Sequence, residues 1–378
     1  WTFPPLMACR YIVVRVGQCA EEMEGDCVSL LERRVVVEAR GHFETEGEDW
    51  AQIGQVGARS LAACRREVYA LSGGRPVYDW GKLYVLALND FYTTGCSDTA
   101  RAVLASGVAP VGGEQACFYA LFAELVQRHT GDGGLAAELL SGVLNGLQAV
   151  EEATGALQAG AWQAMEALCR AAGNGKGAVD CERAFHRARK GLQAVWNEER
   201  GLFADVAGSE ECSRWVNALA LYFDLVESGQ RVRVAQALSG GELERVDDLW
   251  QAFFVAGALW RAGESEWALA YIEKEWGRLL DRSGRTWGEK AGRLEVQPGP
   301  EGLLAAHMLG VCPKAEGILE IRPQLAGRER AEGMVPTLHG DVDVAWGAYG
   351  GGFSLRVTLP HDGETHLSVP RRDRRFPQ

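Results

Sequence analysis

A long series of amphipathic segments between residues 47 and 311 constrains the fold of this chain more than any other feature. Apolar residues recur there at intervals of three and four, which is the periodicity of a helix that buries one face. Glycine-rich breaks such as Gly112-Gly113 separate the segments. The pattern predicts twelve helices of similar length, at residues 47–66, 81–92, 97–107, 114–130, 133–151, 158–172, 179–196, 211–227, 229–239, 246–262, 265–281 and 300–310.

Twelve consecutive helices fit an antiparallel double ring, in which six helical hairpins close into an (α/α)6 barrel. A four-helix bundle would leave most of these helices without a place. A helical solenoid is the alternative architecture, but the chain shows no repeat of the fixed length, about 34 to 45 residues, that such arrays carry. The sequence therefore predicts a mainly α protein built around a six-hairpin barrel.

Strand-like segments flank the helical region on both sides. Residues 10–16 and 34–39 are rich in β-branched side chains and predict strands that either complete a sheet elsewhere in the fold or are the remnant of a larger N-terminal β-domain. Alternating segments after the helices predict a small antiparallel sheet or sandwich, at residues 319–322, 340–346, 352–359 and 365–369. The predicted division is an N-terminal β-strand segment at 1–46, the (α/α)6 barrel at 47–314, and a C-terminal β-sandwich domain with a basic tail at 315–378.

Composition and charge exclude several function classes. The 378 residues are 47% hydrophobic and 24% charged, as in a soluble globular protein. A net charge of −12 disfavours nucleic acid as a partner, and the basic run at 371–375 is expected to be a solvated tail. No segment has the length and apolarity of a membrane span, and no signal peptide is visible, so a cytoplasmic location is expected. The chain begins at Trp1 rather than Met, which leaves a processed form or a fragment open.

Cysteine and histidine patterns give no indication of a metal or cofactor. The ten cysteines form no C-x-x-C pair, and several lie in helical patterns among Ala and Leu, where a free thiol behaves as a small hydrophobic group. This usage predicts a reducing compartment and no structural zinc. The seven histidines are scattered, and phosphate-loop, nucleophile-elbow and zinc-helix motifs are absent from the sequence.

Several short motifs, taken in order, carry a family resemblance. They are Ser213-Arg-Trp-Val-Asn-Ala-Leu-Ala220, Ala258-Leu-Trp-Arg-Ala-Gly263, Leu309-Gly-Val-Cys-Pro313 and Ala331-Glu-Gly-Met-Val-Pro-Thr-Leu-His-Gly340. In this order they resemble the α-L-rhamnosidases, a family of six-hairpin glycosidases, over nearly the whole chain. The resemblance implies hydrolysis of terminal rhamnosyl or related linkages by an inverting acid/base mechanism, with a carbohydrate as the ligand and no cofactor.

Such a hydrolase needs two carboxylates, a proton donor and a base that activates water, roughly 6.5–9.5 Å apart. The resemblance places the proton-donating loop at residues 70–83. The loop can be aligned with the family's motif in two registers, and neither keeps the family's three acids. One register places Leu71, Pro76 and Leu83 at these positions. The other places Ala70, Arg75 and Lys82 there. The carboxylate left in this loop is Asp79, which is either the donor or an N-cap of the following helix.

The second carboxylate is predicted from the segment Gly284-Arg-Thr-Trp-Gly-Glu289, which resembles the family's context for the water-activating Glu. Glu289 is the predicted base, and a solvated loop Glu is the alternative. Sugar recognition needs aromatic platforms and polar groups that satisfy hydroxyls. The predicted substrate contacts on the rim loops are Trp80, Trp287, Arg75, Asp205 and Phe203.

Three functions stay open at this point. The first is active hydrolysis, with Glu289 as base and either Asp79 or an acid that the motifs do not reveal as donor. The second is a catalytically inactive relative that binds carbohydrate, and the third is a scaffold. The replaced acid loop favours the last two, whereas the Thr286, Trp287 and Glu289 pattern favours the first.

Overall fold

The computed structural model of the protein describes residues 37–369, except 73–74, 77–78, 149–154, 284–285, 288, 291–292, 295, 315–316, 351 and 361–363. The strand predicted at 10–16 and the basic run at 371–375 lie outside the described residues.

The twelve predicted helices are confirmed. The helix predicted at 265–281 consists of α11, a π-helical turn at Glu273–Gly277, and α12. The last predicted helix consists of α13 and a second π-helical turn, Leu304–Met308. The bounds are α1 Glu48–Cys64, α2 Trp80–Thr94, α3 Asp98–Ala105, α4 Gly113–Thr130, α5 Gly133–Gln148, α6 Gly155–Ala171, α7 Gly175–Gln193, α8 Arg214–Tyr222, α9 Arg231–Ser239, α10 Leu249–Ala262, α11 Ser265–Ile272, α12 Arg278–Ser283 and α13 Glu301–Leu303.

Six helices form a closed inner ring. Helices α2, α4, α6, α8 and α10 each pack on the next one, and α13 closes the ring by packing on both α10 and α2. Helices α1, α3, α5, α7, α9 and α11 lie outside this ring, and each precedes an inner helix in the chain. The predicted (α/α)6 barrel is therefore confirmed, and an open stack of helices is excluded.

Burial explains why the two kinds of helix differ in sequence. Every residue of α2 is buried, because its neighbours surround it on all sides. Outer helix α7 buries a narrow stripe that includes Ala178, Cys181 and Ala184, and its other faces are charged. This contrast produces the changing width of the apolar stripe along the sequence.

A buried polar network joins the end of α1 to α2. The guanidinium of Arg65 forms an ion pair with Asp90, and both side chains are almost fully enclosed, at 3% and 1% exposure. The carboxylate of Asp90 also accepts hydrogen bonds from the Tyr69 hydroxyl (2.7 Å) and the Thr94 hydroxyl (2.7 Å). The network fixes the start of the segment that leads to α2.

The strands fall into two larger sheets and three ribbons. Their bounds are β1 His42–Thr45, β2 Ala70–Ser72, β3 Arg75–Pro76, β4 Trp196–Asn197, β5 Leu202–Phe203, β6 Glu289–Lys290, β7 Arg293–Leu294, β8 Val311–Pro313, β9 Leu319–Ile321, β10 Arg330–Thr337, β11 Gly340–Tyr349, β12 Gly352–Thr358 and β13 Thr365–Leu367. An antiparallel four-stranded sheet has the order β1-β10-β11-β12, and a three-stranded sheet has the order β13-β9-β8. Ribbons β2-β3, β4-β5 and β6-β7 precede α2, α8 and α13, respectively.

The strands predicted after the helices are confirmed, although their sheet differs from the prediction in one respect. Strand β13 runs parallel to β9, so the second sheet is mixed rather than antiparallel. Of the strand predicted at 34–39, residues 37–39 have no regular structure, and the strand that joins the sheet is β1. Strand β1 adds to the edge of β10, so the N-terminal segment does complete a sheet elsewhere in the fold.

Strand β10 was missed because Gly333 and Pro336 interrupt its alternating pattern. A side chain at position 333 would meet the carbonyl oxygen of His42 at 2.2 Å, so a glycine lets β1 approach closely. Pro336 pairs with Asp341 near the hairpin end of the strand. The sheet is held against the barrel by the Trp346 indole, which donates to the carbonyl of Met308 (2.7 Å). None of the helices in the described part is long and apolar enough to cross a bilayer.

Candidate active site at the barrel mouth

The N-terminal ends of the inner helices meet at one end of the barrel, which we call the mouth. The backbone N–H of Trp80 at the start of α2 donates to the side chain of Gln115 at the start of α4 (2.7 Å). The rings of Trp215 and Trp250, at the starts of α8 and α10, pack edge to face at 5.3 Å. Gln297, before α13, donates to the carboxylate of Asp248, before α10 (3.4 Å), so the end of the 282–299 segment reaches the same end of the barrel as Asp79, which caps α2.

Asp79 stands at this mouth as the N-cap of α2. Its carboxylate accepts a hydrogen bond from the backbone N–H of Lys82 (3.2 Å), which satisfies one of the free donors of the helix end. This is the structural alternative that the sequence left open. A proton-donating role for Asp79 stays a prediction. One oxygen of its carboxylate already accepts the backbone hydrogen bond from Lys82.

Three of the predicted substrate contacts are enclosed by protein. Trp80, Trp287 and Phe203 are 1%, 0% and 0% exposed. Trp80 packs edge to face against Tyr119 at 4.5 Å, and the ring of Phe203 meets Trp196 at 4.9 Å. Their role in sugar contact stays a prediction, because in this structure their rings are packed inside the protein.

The remaining predicted residues lie on the loops that precede inner helices. Asp205 accepts a hydrogen bond from the backbone N–H of Ser213 (2.8 Å), so it shapes the entry to α8. Arg75 lies on β3, and Glu289 lies on β6 opposite Leu294. For Arg75 and Glu289 the structure describes the backbone alone, so their roles stay predictions.

The sequence-based prediction missed a second acid at the mouth, Glu114 in the first turn of α4. Partial burial raises the pKa of the Glu114 carboxyl, and the negative charge of Asp79 raises it further. A hydrogen bond with the Trp215 indole acts in the opposite direction. Glu114 and Asp79 thus form an acid pair at the starts of neighbouring inner helices, in which burial and the Asp79 charge both favour the protonated form of Glu114.

An aromatic floor lies beside this acid pair. Trp215 is half-buried, and its ring also stacks with Phe118 at 6.3 Å. Trp250 is 6% exposed and packs beneath it. A partly open indole next to carboxylates is the arrangement that binds the apolar face and the hydroxyls of a sugar.

Polar atoms without partners mark the side of the mouth formed by α10 and α13. The Trp250 indole nitrogen and the Gln297 side-chain oxygen are buried without a hydrogen bond. The Gln297 amide reaches the carboxylate of Asp248, before α10, at 3.4 Å. Since buried polar atoms are nearly always hydrogen-bonded, these atoms indicate room for water or ligand hydroxyls.

Glu301, the first residue of α13, was also missed. Burial raises the pKa of its carboxyl to about 8, and a hydrogen bond from its own backbone N–H lowers the pKa in part. One carboxyl oxygen is fully enclosed without a close partner. It lies against Gly57 of α1, between the outer and inner rings, where a Cβ on that glycine would be 1.3 Å away.

A glycine in α2 should be required for the floor of the mouth. A Cβ at Gly81 would lie 2.5 Å from the ring of Trp250. We expect Gly81→Ala to lower the free energy of unfolding by about 1–3 kcal/mol, because overpacking outweighs the helical preference of alanine. Gly142→Ala in α5 is the matched control, since no atom lies within 4 Å of its Cβ position. The control should gain up to about 1 kcal/mol in a urea titration, and equal gains at both sites would contradict the packing.

Comparisons with known proteins agree with the fold. Residues 318–376 match the family model described as the bacterial alpha-L-rhamnosidase C-terminal domain. An alpha-L-rhamnosidase of Alteromonas sp. (strain LOR) is 29% identical over 180 residues, which are 40% of this chain and 20% of that protein.

Two solved structures show the same architecture over most of the chain. The GH78 family rhamnosidase of Bacillus sp. GL1 aligns with a TM-score of 0.75 and 19% identity, covering 89% of this chain and 43% of that one. The Streptomyces avermitilis alpha-L-rhamnosidase complexed with L-rhamnose aligns with a TM-score of 0.71 and 15% identity, covering 89% and 39%. This chain therefore spans less than half the length of these relatives.

The closed ring of helical hairpins, with the following β-domain, gives this chain the six-hairpin barrel fold of the solved rhamnosidase structures. The matched C-terminal domain and the curated relative narrow the identification further. The chain is a relative of the α-L-rhamnosidase family.

Proposed function

We propose that this protein binds a terminal rhamnosyl or similar sugar at the barrel mouth and hydrolyses its glycosidic bond with inversion. The observation that carries the proposal is the pair formed by Glu114 and Asp79 at the mouth, beside the partly open indole of Trp215. The relative from Streptomyces avermitilis was solved with L-rhamnose, which supports this class of ligand.

The two acids of the pair differ in the interactions of their carboxyl groups. Asp79 accepts a backbone hydrogen bond as the cap of α2. Glu114 has a raised pKa, so it retains a proton at higher pH than an ordinary Glu. We therefore assign proton donation to the leaving oxygen to Glu114, with Asp79 holding that proton in place through its charge.

The base is assigned to Glu289, which follows Trp287 by two residues. The backbone of Trp287 is anchored on both sides, because its N–H donates to the Ser60 hydroxyl (2.8 Å) and its carbonyl accepts from Gln297 (3.0 Å). Gln297 in turn reaches Asp248 at the start of α10. This chain of contacts ties the β6 ribbon to the mouth, where Glu289 would remove a proton from the attacking water.

Turnover of an aryl α-L-rhamnoside tests the proposal. We expect measurable release by the wild-type protein and a loss of about 10²- to 10⁴-fold in kcat for Glu289→Gln and for Glu114→Gln, because each removes a proton-transfer group. Glu138→Gln, on the exposed face of α5, is the matched control and should leave kcat unchanged. Unchanged kcat in both mouth variants would remove the assigned roles, and no turnover across a panel of aryl glycosides would remove hydrolysis.

Carbohydrate binding without hydrolysis is the second candidate. The observation that favours it is the loop at 70–83, which lacks the family acids in either register and uses Asp79 as a helix cap. It predicts saturable heat with L-rhamnose or a rhamnoside in calorimetry, no turnover, and affinity about tenfold or more weaker in Trp215→Ala, because aromatic packing against a sugar is worth about 1–2 kcal/mol. The absence of heat with every sugar tested would contradict this candidate.

A further inference from the structure

Two cysteines lie on helices that pack against each other, one in the third and one in the fourth helical hairpin of the barrel. Cys169 lies near the C-terminal end of inner helix α6, and Cys181 lies in the second turn of outer helix α7. The two helices pack against each other, and both thiols line the same cavity, where each lies close enough to shift the pKa of the other. Both residues are unpaired cysteines with 2% exposure.

A cavity opens onto this thiol pair. It has a volume of about 1040 Å³, lies between α5, α6 and α7, and is lined by Cys169 and Cys181 together with Trp162 and Met165. Gly177 lies beside the pair, and a Cβ there would be 3.0 Å from the Cys169 sulfur. Because residue 177 has no side chain, the space beside the Cys169 sulfur stays unfilled near the start of α7. The cavity is large enough to admit a small reagent.

We propose that Cys169 and Cys181 are a redox-active pair that a hydroperoxide converts to a disulfide. One thiolate attacks the peroxide oxygen and breaks the O–O bond, which gives a sulfenic acid and releases an alcohol, or water if the oxidant is hydrogen peroxide. The second thiol then attacks the sulfenic sulfur, forms the S–S bond and releases water. Two thiols are oxidised and one peroxide is reduced, and a dithiol reductant reverses the change.

Burial and the charged groups around the pair determine the pKa of each thiol, and therefore the rate of this reaction. Burial raises the pKa of Cys169, and burial together with the Cys169 thiol raises the pKa of Cys181 to about 12. Glu166 of α6 and Asp180 of α7 act in the same direction, while Arg183 and Arg187 of α7 face the same cavity. Because the thiolate is the nucleophile, the rate should rise about tenfold per pH unit from pH 7 to 9.

The test uses the full chain and tert-butyl hydroperoxide, followed by alkylation of remaining thiols and peptide mass spectrometry. We expect a cross-linked peptide that joins Cys169 to Cys181 and has lost two hydrogen atoms. It should be absent in Cys169→Ser and in Cys181→Ser, and it should disappear on treatment with dithiothreitol. Cys117, which is 0% exposed, serves as an internal control and should stay unmodified.

A second measurement keeps the test independent of the variants. The oxidised wild-type chain should melt at a higher temperature than the reduced chain, because the bond closes the α6–α7 hairpin in the unfolded state. The proposal is overturned if both thiols are still alkylated after treatment at pH 9, or if Cys181 is oxidised to a sulfonic acid without any cross-link.

Discussion

Replacing Asp90 with Asn should lower the free energy of unfolding by about 3–5 kcal/mol, because it leaves the Arg65 guanidinium buried without its counter-charge. The two side chains are 3% and 1% exposed, and the Asp90 carboxylate also accepts bonds from the hydroxyls of Tyr69 and Thr94. Asn is nearly isosteric but has one acceptor oxygen instead of two. Urea unfolding monitored by tryptophan fluorescence measures the change.

The chain provides a matched control on its surface. Arg40 and Asp341 form an ion pair at 2.9 Å, with 41% and 35% of their side chains exposed. Asp341→Asn removes the same charge from a solvated pair and should change the free energy of unfolding by less than about 1 kcal/mol. Equal losses at the two sites would show that the Asp90 network does not carry the stability assigned to it.

A double replacement separates the pair from its surroundings. Arg65→Met combined with Asp90→Leu removes both charges and keeps apolar volume in their place. We expect it to be less destabilising than Asp90→Asn alone, because no uncompensated charge is left in the core. The segment after Arg65 leads to Asp79, so Asp90→Asn should also weaken any sugar binding at the mouth.

The fold could be predicted from local sequence because helical periodicity and glycine breaks are local signals. The residues after Thr130 and Ala171 illustrate this, since each helix ends at a short glycine-rich turn. Strand β10 could not be predicted in the same way. Its Gly333 and Pro336 are explained by the neighbouring β1 and by the hairpin end, and neither contact is visible locally.

The site could be predicted only where a motif is contiguous. Thr286, Trp287 and Glu289 stand close together in the chain, so the segment was found by resemblance. Burial raises the pKa of Glu114, and the groups that further act on this pKa, Asp79 and Trp215, lie 35 and 101 positions away. No local pattern distinguishes such a Glu from an ordinary first-turn acid, although the preceding Gly112-Gly113 break places it at a loop end.

The same limit applies to the burial of aromatic residues. Trp80 and Trp287 lie next to predicted rim loops, which suggested ring faces open to a sugar. Trp80 is instead covered by Tyr119 and Phe122, whereas Trp215, inside a helical pattern, keeps an open edge. The position of a residue in a rim loop predicts that it lies near the mouth, whereas tertiary packing determines which indole is exposed there.

Glu301 should make the stability of the barrel depend on pH in a way that sequence does not suggest. The pKa of its carboxyl is raised from 4.5 to about 8 by burial in the folded chain. Between these values the unfolded chain is ionised at this position and the folded chain holds the proton. The free energy of unfolding therefore falls as pH rises from about 4.5 to about 8, and the loss is complete above the folded-state value.

Glu301→Gln removes this dependence because an amide does not ionise. Relative to the variant, the wild-type chain should lose about 2–4 kcal/mol between pH 5 and pH 8.5, somewhat less than the full shift because its side chain keeps some contact with solvent. Glu138→Gln on exposed α5 should show no such pH-dependent difference. A second comparison uses one helix: Gly57→Ala should displace the carboxyl and destabilise the chain, whereas Gly54→Ala has open space and should not. Parallel pH profiles for wild type and Glu301→Gln would show that the carboxyl is ionised in the folded barrel and would contradict burial as the cause of a raised pKa.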